Sequence, residues 1–356
     1  MHAHRPVSTM THVATSVVSS EQRNGLFERY SGNPILTADA WPEAPNSVFN
    51  PAAVEVDGET LLLVRVEDRR GISHLAVARS ADGLTDWVID PDRAFLPDLE
   101  SESERFGVED PRITLCGDEY MIVYTGFSTE GPLVCLATTR DFRSYERHGV
   151  LMPPDDKDAA LFPFRFDGRW ALIHRPIATT PGLAAHTWLR WLRQGIATGF
   201  LRPPPHHSAD IWLSWSRDLR EWDDHTVLIK AREGAWWDAN KIGLCTPPLL
   251  TPQGWLVLYH GVRPTAAGAI YRTGLALLDR DHPDWMIWRS NEWLFGPSAP
   301  YERTGDVDQV VFPCGWVLGA DGDTLRIYYG AADTSVCVGT ASLTALLDWL
   351  AEHASS

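Results

Sequence analysis

Hydrophobic positions in this chain fall in short β-rich runs, closed by polar or small residues and separated by turns bearing Gly and Pro. One such unit recurs five times. Each copy has an extended run at or near a Pro, a Gly-bearing turn and a second run rich in β-formers. The copies are NPAAVEVDGETLLLVRVED from Asn50, DPRITLCGDEYMIVYTG from Asp110, FPFRFDGRWALIHRP from Phe162, TPPLLTPQGWLVLYHGV from Thr246 and FPCGWVLGADGDTLRIYYGAAD from Phe312. A unit of strand and turn that returns every 50 to 85 residues predicts a β-propeller. Five copies predict five blades around one axis. Equivalent strand ends then converge on one funnel, so residues distant in sequence can form one site.

A second phrase lies between the copies. ARSADGLTDW (78–87), ATTRDFRSYERHG (137–149) and LSWSRDLREWDDH (213–225) each read as a strand, an Asp turn and an aromatic, and ALLDRDHPDWMIW (276–288) is a looser version. This is the outer half of a blade. The Asp bonds its own backbone and the aromatic packs between neighbouring blades, so both are structural.

Two segments break the pattern. Within residues 178–207, GLAAHTWLRWLRQGIATGFL has helical periodicity with an aromatic face, and the Pro-rich stretch Arg202–Pro205 stops it. It reads as a helical insertion packed on its own blade, with a lid over the funnel or a subunit contact as alternatives. Residues 341–356, around SLTALLDWLAEH, read as a terminal helix that covers a blade edge. Residues 1–25 are expected to be a mobile arm, 26–345 a single catalytic propeller and 346–356 a helix end and tail.

Composition agrees with an all-β, five-bladed body. The chain has 356 residues, 44% of them apolar, with 16 Trp, 27 Gly and 25 Pro. Net charge is −16 with no Lys/Arg-rich run, which excludes nucleic acid or an anionic membrane as partner. No 18-residue apolar window exists, and the first twenty residues lack the apolar run of a signal peptide. The five cysteines are widely spaced and odd in number, the usage of buried thiols in a reducing cytoplasm.

Polar residues at matching ends of apolar repeats are hard to explain as core. Asn50 and Asp110 enter inner strands. Arg65, Glu67, Asp68, His174, Arg175, Tyr259, His260 and Asp333 leave them, with Lys157, Lys241, Tyr271 and Arg303 nearby. Asp110 precedes a Pro, which predicts an extended backbone and a rigidly placed side chain. It reads as a turn aspartate, an ion-pair partner of Arg112, or a general acid desolvated enough to stay protonated. Lys157, Arg175, Lys241, His260 and Tyr271 are either separate solvated groups or one basic pocket suited to a dianionic phosphate. Trp236 and Trp237 read as packing between blades, with stacking on a ligand ring as the alternative. There is no GxSxG, Walker loop, dinucleotide fingerprint or HExxH. His206 and His207 read as surface.

At SVFNPAAV, LLLVRVEDRRGISHLAVARSADG, GVEDPRIT, KDAALFP, LIHRP, GWLVLYHGV and YYGAADT the chain resembles glycoside hydrolase family 130, over about residues 25–345. The resemblance implies a five-bladed propeller and an inverting β-mannoside phosphorylase that yields α-mannose 1-phosphate, with inorganic phosphate as co-substrate and no cofactor or metal. It makes Asp110 the sole general acid. Asn50, Arg65 and Asp333 hold the mannose, with Asp68 grouped beside them. Lys157, Arg175, His260 and Tyr271, joined by Lys241, bind phosphate. An inverting β-mannosidase, with Glu67, Asp68, Glu109 or Asp308 as base, is the first alternative. A non-catalytic glycan-binding propeller is the second. The fructosidase and arabinanase propellers need two or three placed carboxylates and do not match. Acceptor, linkage and any homo-oligomer stay open at this stage.

Overall fold

The computed structural model describes residues 25–176, 209–265 and 268–355. The helical reading of 178–207, the surface reading of His206 and His207, and the arm before Gly25 lie outside the described residues.

Five antiparallel sheets form the five blades, each running from its inner strand outward. Blade 1 comprises Ser47–Val56, Glu59–Glu67, Ser73–Ser80 and Val88–Phe95. Blade 2 comprises Val108–Cys116, Glu119–Ser128, Gly131–Thr139 and Glu146–Met152, and blade 3 Asp156–Leu161, Trp170–Pro176, Ile211–Ser216 and Trp222–Ile229. Blade 4 begins with Lys241–Leu244 and Leu249–Thr251, continues through Gly254–Thr265, Gly268–Leu278 and Met286–Ser290, and ends on Ala354–Ser355. Blade 5 comprises Val311–Leu318, Thr324–Ala331 and Ser335–Ser342. Its outer edge comes from the other end of the chain, where Glu28–Arg29 and Leu36–Thr37 pair with Ser335–Ser342. The ring is thereby clasped shut.

In blades 3 and 4 the inner strand starts earlier than the repeated phrase suggested. Asp156–Leu161 precedes Phe162, and Lys241–Leu244 precedes Thr246. The shift matters because three inner strands carry the same bulge. Register slips between Phe49 and Ala52, Glu109 and Arg112, and Lys157 and Ala160. Within each slip one residue is left-handed: Asn50 at φ 47°, Asp110 at φ 46° and Asp158 at φ 54°. Asn and Asp tolerate this region better than other side chains, and bulges re-aim side chains next to sites. The extended backbone expected of Asp110 is therefore corrected. Pro111 lies inside the strand, at the bulge, rather than opening it.

The outer turns are as read. Asp82, Asp141, Asp218 and Asp279 each accept two or more backbone N–H groups from the residues just ahead. Aromatic pairs seal the blade borders: Trp87 on Tyr328, Tyr145 on Phe95, and Trp255 on Phe162, with centroids 6.2, 5.1 and 5.0 Å apart. Trp237 is buried, stacks on Tyr259 and donates to the Asn291 carbonyl, whereas Trp236 is exposed beneath Arg232.

The terminal helix spans Leu343–His353, capped by Ser342 Oγ accepting from the Ala345 N–H at 3.1 Å. Leu343, Leu346, Leu347 and Leu350 form its buried stripe against the outer strands of blades 4 and 5. All five cysteines are free. No described helix is long and apolar enough to cross a membrane.

Candidate active site

Near the axis lies a cavity of about 160 Å³ that receives side chains from all five blades. Asn50, Arg65 and Asp110 line it from blades 1 and 2, and Lys157, Asp158 and Arg175 from blade 3. Lys241, His260 and Tyr271 line it from blade 4, and Phe312 and Asp333 from blade 5. Every site residue expected from the sequence is here except Asp68. The Asp68 carboxylate instead holds Arg70 at 2.7 Å and takes the backbone N–H groups of Arg70 and Ile72, closing the turn after the second strand of blade 1.

At one end sits Asp110, 4% exposed. Its Oδ1 accepts from Asn50 Nδ2 at 2.9 Å and Arg65 Nη1 at 3.1 Å. The other Arg65 Nη bonds Glu109 at 2.8 Å and Glu67 at 3.2 Å, and the guanidinium lies 4.5 Å over the Phe49 ring. Burial by itself pushes the Asp110 carboxyl up, but the Arg65 and Lys157 charges outweigh it and hold the group below the ordinary aspartate range. The expected resting protonation of Asp110 is therefore corrected: two cations in the same cavity favour the ion.

Asp333 behaves oppositely. Burial, then the Asp110 charge, pushes it up to about 7. Its folded value lies above its unfolded one near 4, so this proton stabilises the folded state. The contribution is whole below about pH 4 and is lost as pH rises through about 7. Asp333→Asn is expected to melt higher than the parent at about pH 8, with the gap narrowing toward about pH 5. Calorimetry across that range reads it, and a gap independent of pH would exclude the arrangement.

The other end is basic. Arg175 is 1% exposed and grips Asp158 Oδ2 through Nε at 2.8 Å and Nη2 at 2.7 Å. Its backbone N–H donates to Asp156 Oδ1 at 3.1 Å, and Asp156 Oδ2 bonds His174 Nδ1 at 2.6 Å. Burial would raise Asp158, yet the Arg175 charge, with that of Lys157, holds it far below the ordinary range. Lys241, beside the Tyr271 ring at 6.0 Å, is brought down to about 8 by burial and then by Arg175. Burial also lowers His260 to about 3, despite Asp158, so the ring is neutral. Burial and Asp158 lift Tyr271 to about 12, which keeps it a phenol donor. His260 Nδ1 faces the Cys245 thiol at 3.7 Å, and its Nε2 lies 3.7 Å from Asp158 Oδ2.

Three buried polar atoms of the lining residues, Asn50 Oδ1, Asp158 Oδ1 and His260 Nε2, have no hydrogen-bond partner among the described residues. Buried polar atoms without partners are rare and mark a place where a ligand's polar groups fit. Gly243 keeps that end open: a Cβ there would strike the Asp158 carboxylate and the His260 ring. Asp158 is the lining group that sequence reading missed. The available signal was KDAA, the counterpart of FNPA and EDPR in the other bulged strands.

A family profile described as β-1,4-mannooligosaccharide phosphorylase matches residues 21–352. The 1,2-β-oligomannan phosphorylase of Thermoanaerobacter sp. (strain X514) is 32% identical over 325 residues, covering 88% of this chain and 96% of that protein. The β-1,4-mannooligosaccharide phosphorylase of Ruminococcus albus is 29% identical over 335 residues, covering 92% and 91%. Among solved structures, the β-1,2-mannobiose phosphorylase from Listeria innocua in complex with β-1,2-mannobiose superposes with a TM-score of 0.77 at 28% identity, covering 92% of this chain and 99% of that one.

Proposed function

The chain belongs to glycoside hydrolase family 130, and on that premise we propose that it is an inverting β-mannoside phosphorylase. It cleaves a β-mannoside with inorganic phosphate and releases α-mannose 1-phosphate and a shortened sugar. One observation carries the reading: the buried carboxyl of Asp110 shares a cavity with Lys157, Arg175 and Lys241.

The terminal mannose sits against Asn50, Arg65 and Asp333. Phosphate sits against Lys157, Arg175, Lys241, His260 and the Tyr271 hydroxyl. Asp110 protonates the leaving oxygen as the bond opens through an oxocarbenium-like state, and a phosphate oxygen attacks the anomeric carbon from the opposite face. The proton, drawn from solvent, reaches Asp110 because phosphate brings negative charge against Lys157, one of the cations that hold the carboxyl down. That offsets the field holding the carboxyl down, so the acid form is made when both substrates are in place.

A hydrolase of this geometry needs a second carboxylate to deprotonate water. Glu67 and Glu109 are tied to Arg65, Asp68 to Arg70, and Asp308 accepts the Gly305 N–H on the exposed surface. None of the four lines the cavity. Asp158 lines it but is clamped by Arg175, and Asp333, the remaining lining carboxyl, is assigned to the mannose above. This supports phosphorolysis over hydrolysis. The free thiols support a cytoplasmic setting.

The test is α-mannose 1-phosphate offered with a panel of mannose, glucose, N-acetylglucosamine and mannooligosaccharide acceptors, scored by phosphate release, with the forward reaction run with and without phosphate. Phosphate-dependent cleavage and acceptor-dependent phosphate release are expected. Cleavage without phosphate would make the protein a β-mannosidase, and sugar binding without product would make it a binding module.

A further inference from the structure

A second cavity, of about 250 Å³, opens between blades 4 and 5 and is lined by Ile270, Arg272, Trp293, Gly296, Arg303 and Gln309. One strand separates it from the catalytic cavity. Tyr271 lines the catalytic side, while its neighbours Ile270 and Arg272 line the other, as alternation along a strand requires. The Tyr271 N–H donates to the Gln309 carbonyl at 3.3 Å, which ties the two walls together.

Arg272 is half-buried and fixed. Its guanidinium lies 4.6 Å over the Trp293 ring, and its stem runs so close to Gly296 that a Cβ there would meet Arg272 Cγ at 3.1 Å. Other half-buried arginines, Arg29, Arg65, Arg93 and Arg232 among them, each hold a carboxylate. Neither the Arg272 nor the Arg303 side chain has a hydrogen bond or an ion pair among the described residues. Burial and the Arg263 charge make the Arg272 cation less favourable than usual. In a chain with 47 acidic and 31 basic residues, a carboxylate here would have offset that cost. Folding alone gives no reason for the half-buried, unpaired guanidinium of Arg272, and the exposed Arg303 adds a second cation to the same lining.

We propose that this cavity is a second anion site, one that takes a phosphate-class dianion beside the catalytic cavity. A guanidinium fork matches two phosphate oxygens, and a fixed fork loses little entropy on binding. The occupant is either inorganic phosphate, concentrated near its point of use, or the phosphoryl group of a sugar phosphate. The choice of anion rests on the phosphorolysis reading above, but none of these residues belongs to that reading.

The test is calorimetric titration of inorganic phosphate, and separately of α-mannose 1-phosphate, into the parent protein, Arg303→Gln and Arg272→Gln/Arg303→Gln at fixed ionic strength. The parent is expected to bind two anions per chain and the double variant one, with kcat at saturating phosphate unchanged. Arg303→Gln, an exposed change that does not threaten the fold, is expected to weaken the second event alone. A second event seen with inorganic phosphate identifies a staging site, and one seen only with the sugar phosphate identifies a product site. A single event that survives in both variants overturns the proposal. A single event lost in the double variant would instead uphold this site and sink the catalytic phosphate pocket.

Discussion

Asp110→Asn loses about a thousandfold or more in kcat on natural β-mannosides, the scale at which a positioned general acid acts. The fold should survive. Asn accepts the left-handed backbone as readily as Asp, and its Oδ1 still receives Asn50 Nδ2 and Arg65 Nη1. Only the transferable proton is gone. The loss should therefore shrink sharply for an aryl mannoside whose leaving group departs without protonation. Initial rates on both substrates at saturating phosphate, with a melting curve for each protein, make the check. A variant that keeps activity within tenfold of the parent on both substrates removes Asp110 from the acid role.

Arg175 should give the second large effect, split between binding and stability. Arg175→Ala strips the closest cation from Asp158, which is 1% exposed, and breaking one side of a buried pair costs about 3–5 kcal/mol. The informative partner is Arg175→Lys. It keeps the charge but cannot reproduce the two contacts from Nε and Nη2. The KM for phosphate is expected to rise about tenfold in Arg175→Lys, and about a hundredfold in Arg175→Ala, as lost charge-assisted hydrogen bonds dictate. The KM for the mannoside should change little. Phosphate titrations at saturating mannoside separate the two constants. Equal rises in both would make Arg175 a fold residue and nothing more.

How much of this was legible in the chain depends on how local each signal is. The inner hairpins and outer Asp turns announce themselves within about twenty residues, so the number of blades could be read directly. Nine of the ten expected site residues meet in one cavity because strand ends at matching repeat positions must converge. Asp158 was hidden because its bulge lacks the Pro that follows Asn50 and Asp110, so KDAA did not look like FNPA or EDPR. Asp68 lies outside the cavity, and only the folded turn reveals that Arg70 and Ile72 occupy its oxygens. Sequence reading weighed desolvation at Asp110 without Arg65 and Lys157, which arrive from two other blades and favour the ion. The clasp was invisible for a similar reason. Glu28–Arg29 and Leu36–Thr37 are too short to read as strands until Ser335–Ser342 lies beside them.

That clasp makes the first of the described strands the last one placed. Asn33 trades hydrogen bonds with the backbone of Val338, 305 residues downstream, at 2.8 and 2.9 Å. On the ribosome, residues 28–37 must wait for nearly the whole chain to emerge. Meanwhile the cluster of Leu36, Trp41, Val48 and Val64 lacks Tyr328, Val336 and Val338, which complete it in the folded chain. A nascent arc of four blades thus carries a bare apolar flank at one end and an unpaired strand edge at the other, the condition in which neighbouring chains stick together and chaperones intervene.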